Sequence, residues 1–163
     1  GNLASRAQAM VGKYFDGRLP EPGADTPAEE QLRTLLSATA TSADANVRDF
    51  ALQQALLDIK DFVDAVNLYV TEQQPWVVAK DEAQRERLAT ILYTVCECLR
   101  ATAALYAAVM PKAAQQLWDE IGATESGLTL SLASVATWGQ LRPGVTVTKG
   151  ESMFPRIEEP ESI

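Results

Sequence analysis

The 163 residues carry a net charge of −8, no histidine, 47% hydrophobic and 22% charged residues. A chain of this length buries about 70% of the surface its unfolded form exposes, so it supports one domain, or one with an appendage, without disulfide or metal. The lack of imidazole removes Ser-His and Cys-His nucleophile pairs, His general bases and His-ligated metals, and the acidic balance argues against a general nucleic-acid binder.

Leu3, Ala7, Met10, Val11 and Tyr14 recur at helical spacing and predict a first helix over residues 1–15, ended by Asp16-Gly17. After the loop RLPEPGAD, Thr26-Pro27-Ala28-Glu29 is a strong start signal: a capping threonine, proline at the first helical position, and glutamate completing a capping box. That second helix runs to about Asn46. A third begins near Val47, carries Phe50, Ala51, Ala55, Leu56, Ile59, Phe62, Val63 and Val66 inward with Asp58, Lys60, Asp61 and Asp64 on its wet face, and stops near Glu72. QQPW breaks the pattern. A fourth helix from about Asp81 to Val109 buries Leu88, Leu92, Val95, Leu99, Thr102 and Leu105, and a short fifth, Lys112 to Ile121, ends at Gly122.

The fold class is therefore all-α: an antiparallel bundle of about five helices. It occupies residues 1–122, and residues 123–163 form an extended tail with a short β-hairpin at Val145 and Val147 that packs along the bundle. No continuous apolar run approaches the ~18 residues of a membrane span, and no signal peptide is legible, so a cytoplasmic location without membrane association is expected. Cys96 and Cys98 lie two apart on a helix, pointing to different sides, and suit neither a disulfide nor a zinc site. No phosphate-binding loop or dinucleotide fingerprint occurs. The chain starts as if already inside a helix, which reads as a piece of something longer that does no chemistry alone.

The charge average hides one basic end, since residues 1–20 hold Arg6, Lys13 and Arg18 against Asp16. Asn2 and Arg6, four apart, share a helix face; they are either a polar surface or a pair able to bind base edges or a carboxylate at two points. Trp76, after Pro75 at a helix corner, either closes the core or is held out as a stacking platform whose preceding proline fixes the backbone. Asn67 and Tyr69 before that corner and Lys80 after it read as support or solvation. Trp118 reads as core, while Trp138 is open between packing and facing a neighbouring domain.

GNLASRAQAMVGKYFDG, NLYVTEQQPWVVAK and the terminal GESMFPRIE closely resemble, in order and over nearly the whole chain, the C-terminal anticodon-binding domain of bacterial methionyl-tRNA synthetase. The resemblance implies a helical bundle that reads the CAU anticodon of methionine tRNAs, the initiator included, with Asn2 and Arg6 on base edges and Trp76 stacked on the first anticodon base. Pro75, Asn67 and Lys80 are the supporting residues. It implies that Phe154 and Arg156 contact the catalytic domain of the same protein, and that the protein is of the monomeric form. ATP and magnesium, with zinc in some members, belong to that absent half; this chain itself has no catalytic residue, no metal site and no cofactor. A corresponding domain of the valine or cysteine enzymes, or a free-standing helical interaction module with Trp76 in its core, are the competing readings.

Overall fold

The computed structural model describes residues 1–132, 135 and 137–155. Six α-helices follow in chain order: α1 (Asn2–Phe15), α2 (Pro27–Arg48), α3 (Leu52–Gln73), the single turn α4 (Pro75–Val78), α5 (Arg85–Tyr106), preceded by a 3-10 turn at Glu82–Gln84, and α6 (Pro111–Glu120). The expected bundle is present, with α1, α2, α3, α4 and α6 all packed against α5.

The helix α5 is the axis of the fold. Every residue from Leu88 to Ala101 is buried, so it lacks the polar stripe a surface helix needs. By length and composition the stretch Glu82–Tyr106 passes for membrane-spanning, with a mean hydropathy of 1.4 over its most apolar window, although polar residues interrupt it so that no long continuous apolar run results. All of that window lies inside the protein, as a core helix does. Cys96 and Cys98 point to different sides of α5 and are both buried, because every side is enclosed; burial pushes Cys96 up to about 12 and Cys98 well above its ordinary value.

Two boundaries differ from the sequence pattern. Residues 47–51 do not open α3. Instead α2 continues to Arg48 and ends in a Schellman turn, with Ala51 N–H donating to Asn46 O (2.7 Å) and Phe50 N–H to Val47 O (3.1 Å). Phe50 sits at the left-handed position of that turn with φ 60° and is 93% exposed, so its apparent place in the α3 core stripe is wrong. The stop is silent in sequence because the usual glycine or asparagine is absent. At the other end, α5 finishes at Tyr106 and not Val109: Met110 precedes Pro111 and is forced out of the helical region (φ −134°, ψ 61°).

The tail also pairs differently. Val145 and Val147 are buried and Thr146 less so, as alternation implies, but among the described residues they form no hairpin. Their partner is the segment after α1, through one antiparallel bridge between Arg18 and Thr146, with Leu19 N–H donating to Val145 O (2.9 Å) and Val147 N–H to Gly17 O (2.8 Å). Between α6 and this bridge, residues 137–141 lie over α5. The buried Glu97 carboxylate accepts from the backbone N–H groups of Gly139, Gln140 and Leu141 (3.0, 3.1 and 3.1 Å) and from Arg100 Nε (2.8 Å). Arg100, also fully buried, donates to Thr137 O (2.8 Å), and Tyr93 Oη donates to Leu141 O (2.7 Å).

Two stability predictions follow from these turns and pairs. Phe50→Gly relieves the left-handed strain without removing a packed side chain and should raise stability by about 1 kcal/mol, read as a higher urea midpoint at unchanged slope. Glu97→Ala leaves Arg100 uncompensated and three backbone donors without their acceptor, and should cost about 3–5 kcal/mol by the same measurement.

Candidate nucleic-acid interface

The QQPW break is built from three backbone choices. Gln74 takes the left-handed conformation (φ 46°) and ends α3, its N–H donating to Val70 O (3.1 Å). Pro75 follows at the first position of α4, where its missing N–H costs nothing, and its buried ring faces the core. Gln74 O then accepts from the N–H groups of Val77 (2.8 Å) and Val78 (3.1 Å), closing a one-turn helix that lies against α5. Trp76 is the second residue of that turn and is 39% exposed. A tryptophan that plugs the core looks different here: Trp118 is 1% exposed and donates its indole N–H to Leu128 O (3.4 Å). Trp138 is half-buried with the Arg33 guanidinium over its ring at 5.1 Å.

The structure brings Arg6 of α1 to Trp76 of α4, seventy residues apart in sequence, with the guanidinium carbon 5.8 Å from the ring centroid, within cation–π range. The Asn2 side lies one turn away from Arg6 and opens elsewhere. It lines a cavity of about 440 Å³ with Gln8, Glu120, Lys149 and Phe154, in which Gln8 Nε2 donates to Glu120 Oε2 (2.7 Å). Lys80 is exposed at the foot of α4. Asn67 is half-buried on α3 and donates to Val63 O of its own helix (3.1 Å), so no hydrogen bond joins it to the Trp76 corner. Phe154 is 57% exposed beside Gly1, and Arg156 lies outside the described residues.

Glu29 is more than the helix cap its position announced. Its carboxylate accepts from Thr26 N–H (2.7 Å) as the capping box requires, yet it is wholly buried and also takes both Arg87 nitrogens (2.9 and 2.8 Å) and the Tyr69 hydroxyl. Arg87 Nη2 further donates to Gln73 Oε1 (2.6 Å), the last residue before the corner. One signal for this cluster was available: Arg87 is a charge one residue before the enclosed stretch of α5, and Tyr69 is a phenol on the inward stripe of α3.

A family model described as the anticodon binding domain of methionyl tRNA ligase matches residues 19–162. The chain belongs to that family. The matched span takes in Asn67, Pro75, Trp76 and Lys80 and starts after Asn2 and Arg6. The methionine--tRNA ligase of Streptomyces coelicolor is 48% identical over 165 residues, taking in 98% of this chain and 31% of that protein. The corresponding ligase of Halalkalibacterium halodurans is 36% identical over 164 residues, 100% of this chain and 24% of that one. A crystal structure of the apo form of Mycobacterium tuberculosis methionyl-tRNA synthetase superposes with a TM-score of 0.86 at 33% identity, over 98% of this chain and 32% of that one. The chain thus spans about a third or less of the relatives' length. These relatives are methionine enzymes, which decides against the valine, cysteine and free-standing readings.

In this anticodon-binding domain the Glu29 cluster has a pH signature. Burial alone would raise the Glu29 carboxyl, but hydrogen bonds from Arg87, Tyr69 and Thr26 outweigh it and bring it from 4.5 down to about 2. A folded value below the unfolded one means that the stabilisation is complete above about pH 4.5 and is lost as the pH falls through about 2, on the order of 3 kcal/mol at full extent. Urea midpoints taken between pH 5 and 2 should fall more steeply for the wild type than for Glu29→Gln, which starts less stable at pH 7; parallel curves would show that Glu29 is not held as a buried anion.

Proposed function

We propose that this chain is the part of a methionine–tRNA ligase that reads the CAU anticodon and so positions the tRNA for ATP-dependent attachment of methionine by the rest of the protein. The observation that carries the reading is the meeting of Arg6 and the exposed Trp76 across two elements. Single-stranded loops are where proteins read RNA sequence, because splayed bases offer a face for an aromatic ring and an edge for hydrogen bonds. Trp76 supplies the face and the Arg6 fork supplies the edge contacts beside it, while the Asn2 amide, one turn along α1, is offered to a further base edge. Pro75 sets the turn that holds the ring, and Lys80 adds a cation beside it.

The partners in this reading are methionine tRNAs, the initiator among them, and the catalytic domain of the same protein, with Phe154 and Arg156 on the side that meets it. The protein acts as a cytoplasmic monomer. ATP, magnesium and, in some members, zinc belong to that other domain. The usual zinc donors are not on offer in this chain: it has no histidine, and its two cysteines are enclosed thiols held protonated by burial.

The test is Trp76→Ala in the full-length ligase. Loss of one base–aromatic stack, about 1–3 kcal/mol, should lower kcat/KM for charging a CAU tRNA roughly 10- to 100-fold. Methionyl-adenylate formation without tRNA should stay within about twofold of wild type, since the ring touches no reacting atom. Charging equal to wild type would remove the stacking role.

A further inference from the structure

We infer that Gln73, held by Arg87, is a positioning residue that sets where Trp76 stands. The inference rests on the reading of Trp76 as a base-stacking residue and adds the device that holds it. A non-glycine residue pays about 1–2 kcal/mol for the left-handed conformation, so a helix end built on one is held less firmly than the same end built on glycine. Gln74 is such a residue, and Trp76 lies two positions on, so any play at the end of α3 passes to the ring.

Arg87 removes that play. Its guanidinium is locked onto both Glu29 oxygens, which ties α5 to the capped start of α2, and a third hydrogen bond from the same group reaches Gln73 Oε1 (2.6 Å). The end of α3 is therefore referenced to two other helices at once. The neighbouring Arg85 does the equivalent for α1: Nη2 donates to Tyr14 O (3.2 Å), and its guanidinium carbon lies 4.7 Å from the Phe15 ring centroid. One turn of α5 thus holds both elements that meet at the Arg6–Trp76 contact. Gln73 is the separable member, because it is half-buried at a helix end and its removal leaves the Arg87–Glu29 pair in place.

The test uses the full-length ligase with Gln73→Ala, which deletes the acceptor, and Gln73→Glu, which keeps an oxygen for Arg87. Gln73→Ala should lower discrimination between a CAU tRNA and one with a changed first anticodon base by about tenfold, the worth of one charge-assisted hydrogen bond. The melting temperature should fall by only a few degrees, the loss expected for one hydrogen bond, and methionyl-adenylate formation should not move. A second readout needs no RNA: in protein labelled with 5-fluorotryptophan, the Trp76 19F resonance, assigned by its loss in Trp76→Phe, should shift and broaden in Gln73→Ala. Gln73→Glu should restore both. Gln73→Ala that matches wild type in both readouts, or that loses discrimination only in proportion to a fall in melting temperature, overturns the positioning role. If Trp76→Ala also leaves discrimination intact, it is the base-stacking reading that fails, and the resonance alone then decides whether Gln73 holds the ring.

Discussion

A helix with no solvent face must have every polar group on it satisfied by some other element, and α5 carries several. Thr90 accepts from Gly23 N–H (2.8 Å) and so fixes the loop between α1 and α2. Tyr93, Glu97 and Arg100 together take up the backbone of residues 137–141. Arg85 and Arg87, on the turn where α5 emerges, reach α1, α2 and the end of α3. The apolar side chains of α5 supply most of the adhesion, which is non-directional. Its polar groups supply register, because an unpaired buried donor or acceptor costs far more than a paired one returns.

That division explains how a chain with a net charge of −8 presents a site for an anion-rich ligand. Two acidic groups near the axis, Glu29 and Glu97, are enclosed and matched to Arg87 and Arg100, so their charge is consumed inside the fold. Of the remaining acid, Asp58 receives Ser42, Asn46 and Gln54 on the outer side of the α2–α3 pair and Asp44 pairs with Arg48, whereas Glu72, Asp81 and Glu82 are exposed next to the corner in sequence. Arg6 and Lys80 stand at the Trp76 corner without a carboxylate partner among the described residues. Beyond a Debye length of about 8 Å at physiological salt, exposed charges elsewhere are largely screened.

The sequence disclosed those elements whose signals are local. The capping box at Thr26 and Glu29, the apolar stripe of α3 from Ala55 onward, and the stop at Gln73-Gln74-Pro75 are each readable within a few residues, and each is present. What escaped had its cause elsewhere in the chain or in an unusual residue. Phe50 occupies a left-handed turn that glycine normally marks, so α2 and α3 seemed to meet without a gap. Val145 and Val147 alternate as a strand does, but their partner is residues 17–19, more than a hundred positions earlier. Glu29 was legible as a cap but not as the hub of a buried cluster, because Tyr69 and Arg87 reach it from two other helices. The site was legible only through resemblance: spacing puts Asn2 with Arg6, whereas the fold puts Arg6 with Trp76 and turns Asn2 toward a cavity of its own.

The three tryptophans order the alternatives for Trp76. Burying a large aromatic ring is among the strongest contributions one side chain makes to stability. Trp118 makes that contribution in full, and Trp138, on the tail that α5 holds down, is half-buried with the Arg33 guanidinium over its ring. Trp76 is the most exposed of the three, although Pro75 beside it is buried and Gln74 O accepts from the N–H groups of Val77 and Val78 to close the turn. The corner therefore does not lack order that a different packing would supply. It is ordered with the ring outward, where cation–π contact with Arg6 offsets only part of the lost burial, about 0.5–1 kcal/mol at an exposed site. Beneath it, Arg87 joins Glu29 at the start of α2 to Gln73 at the end of α3, so the backbone that leads to the ring is tied to two other helices by groups the ring does not touch.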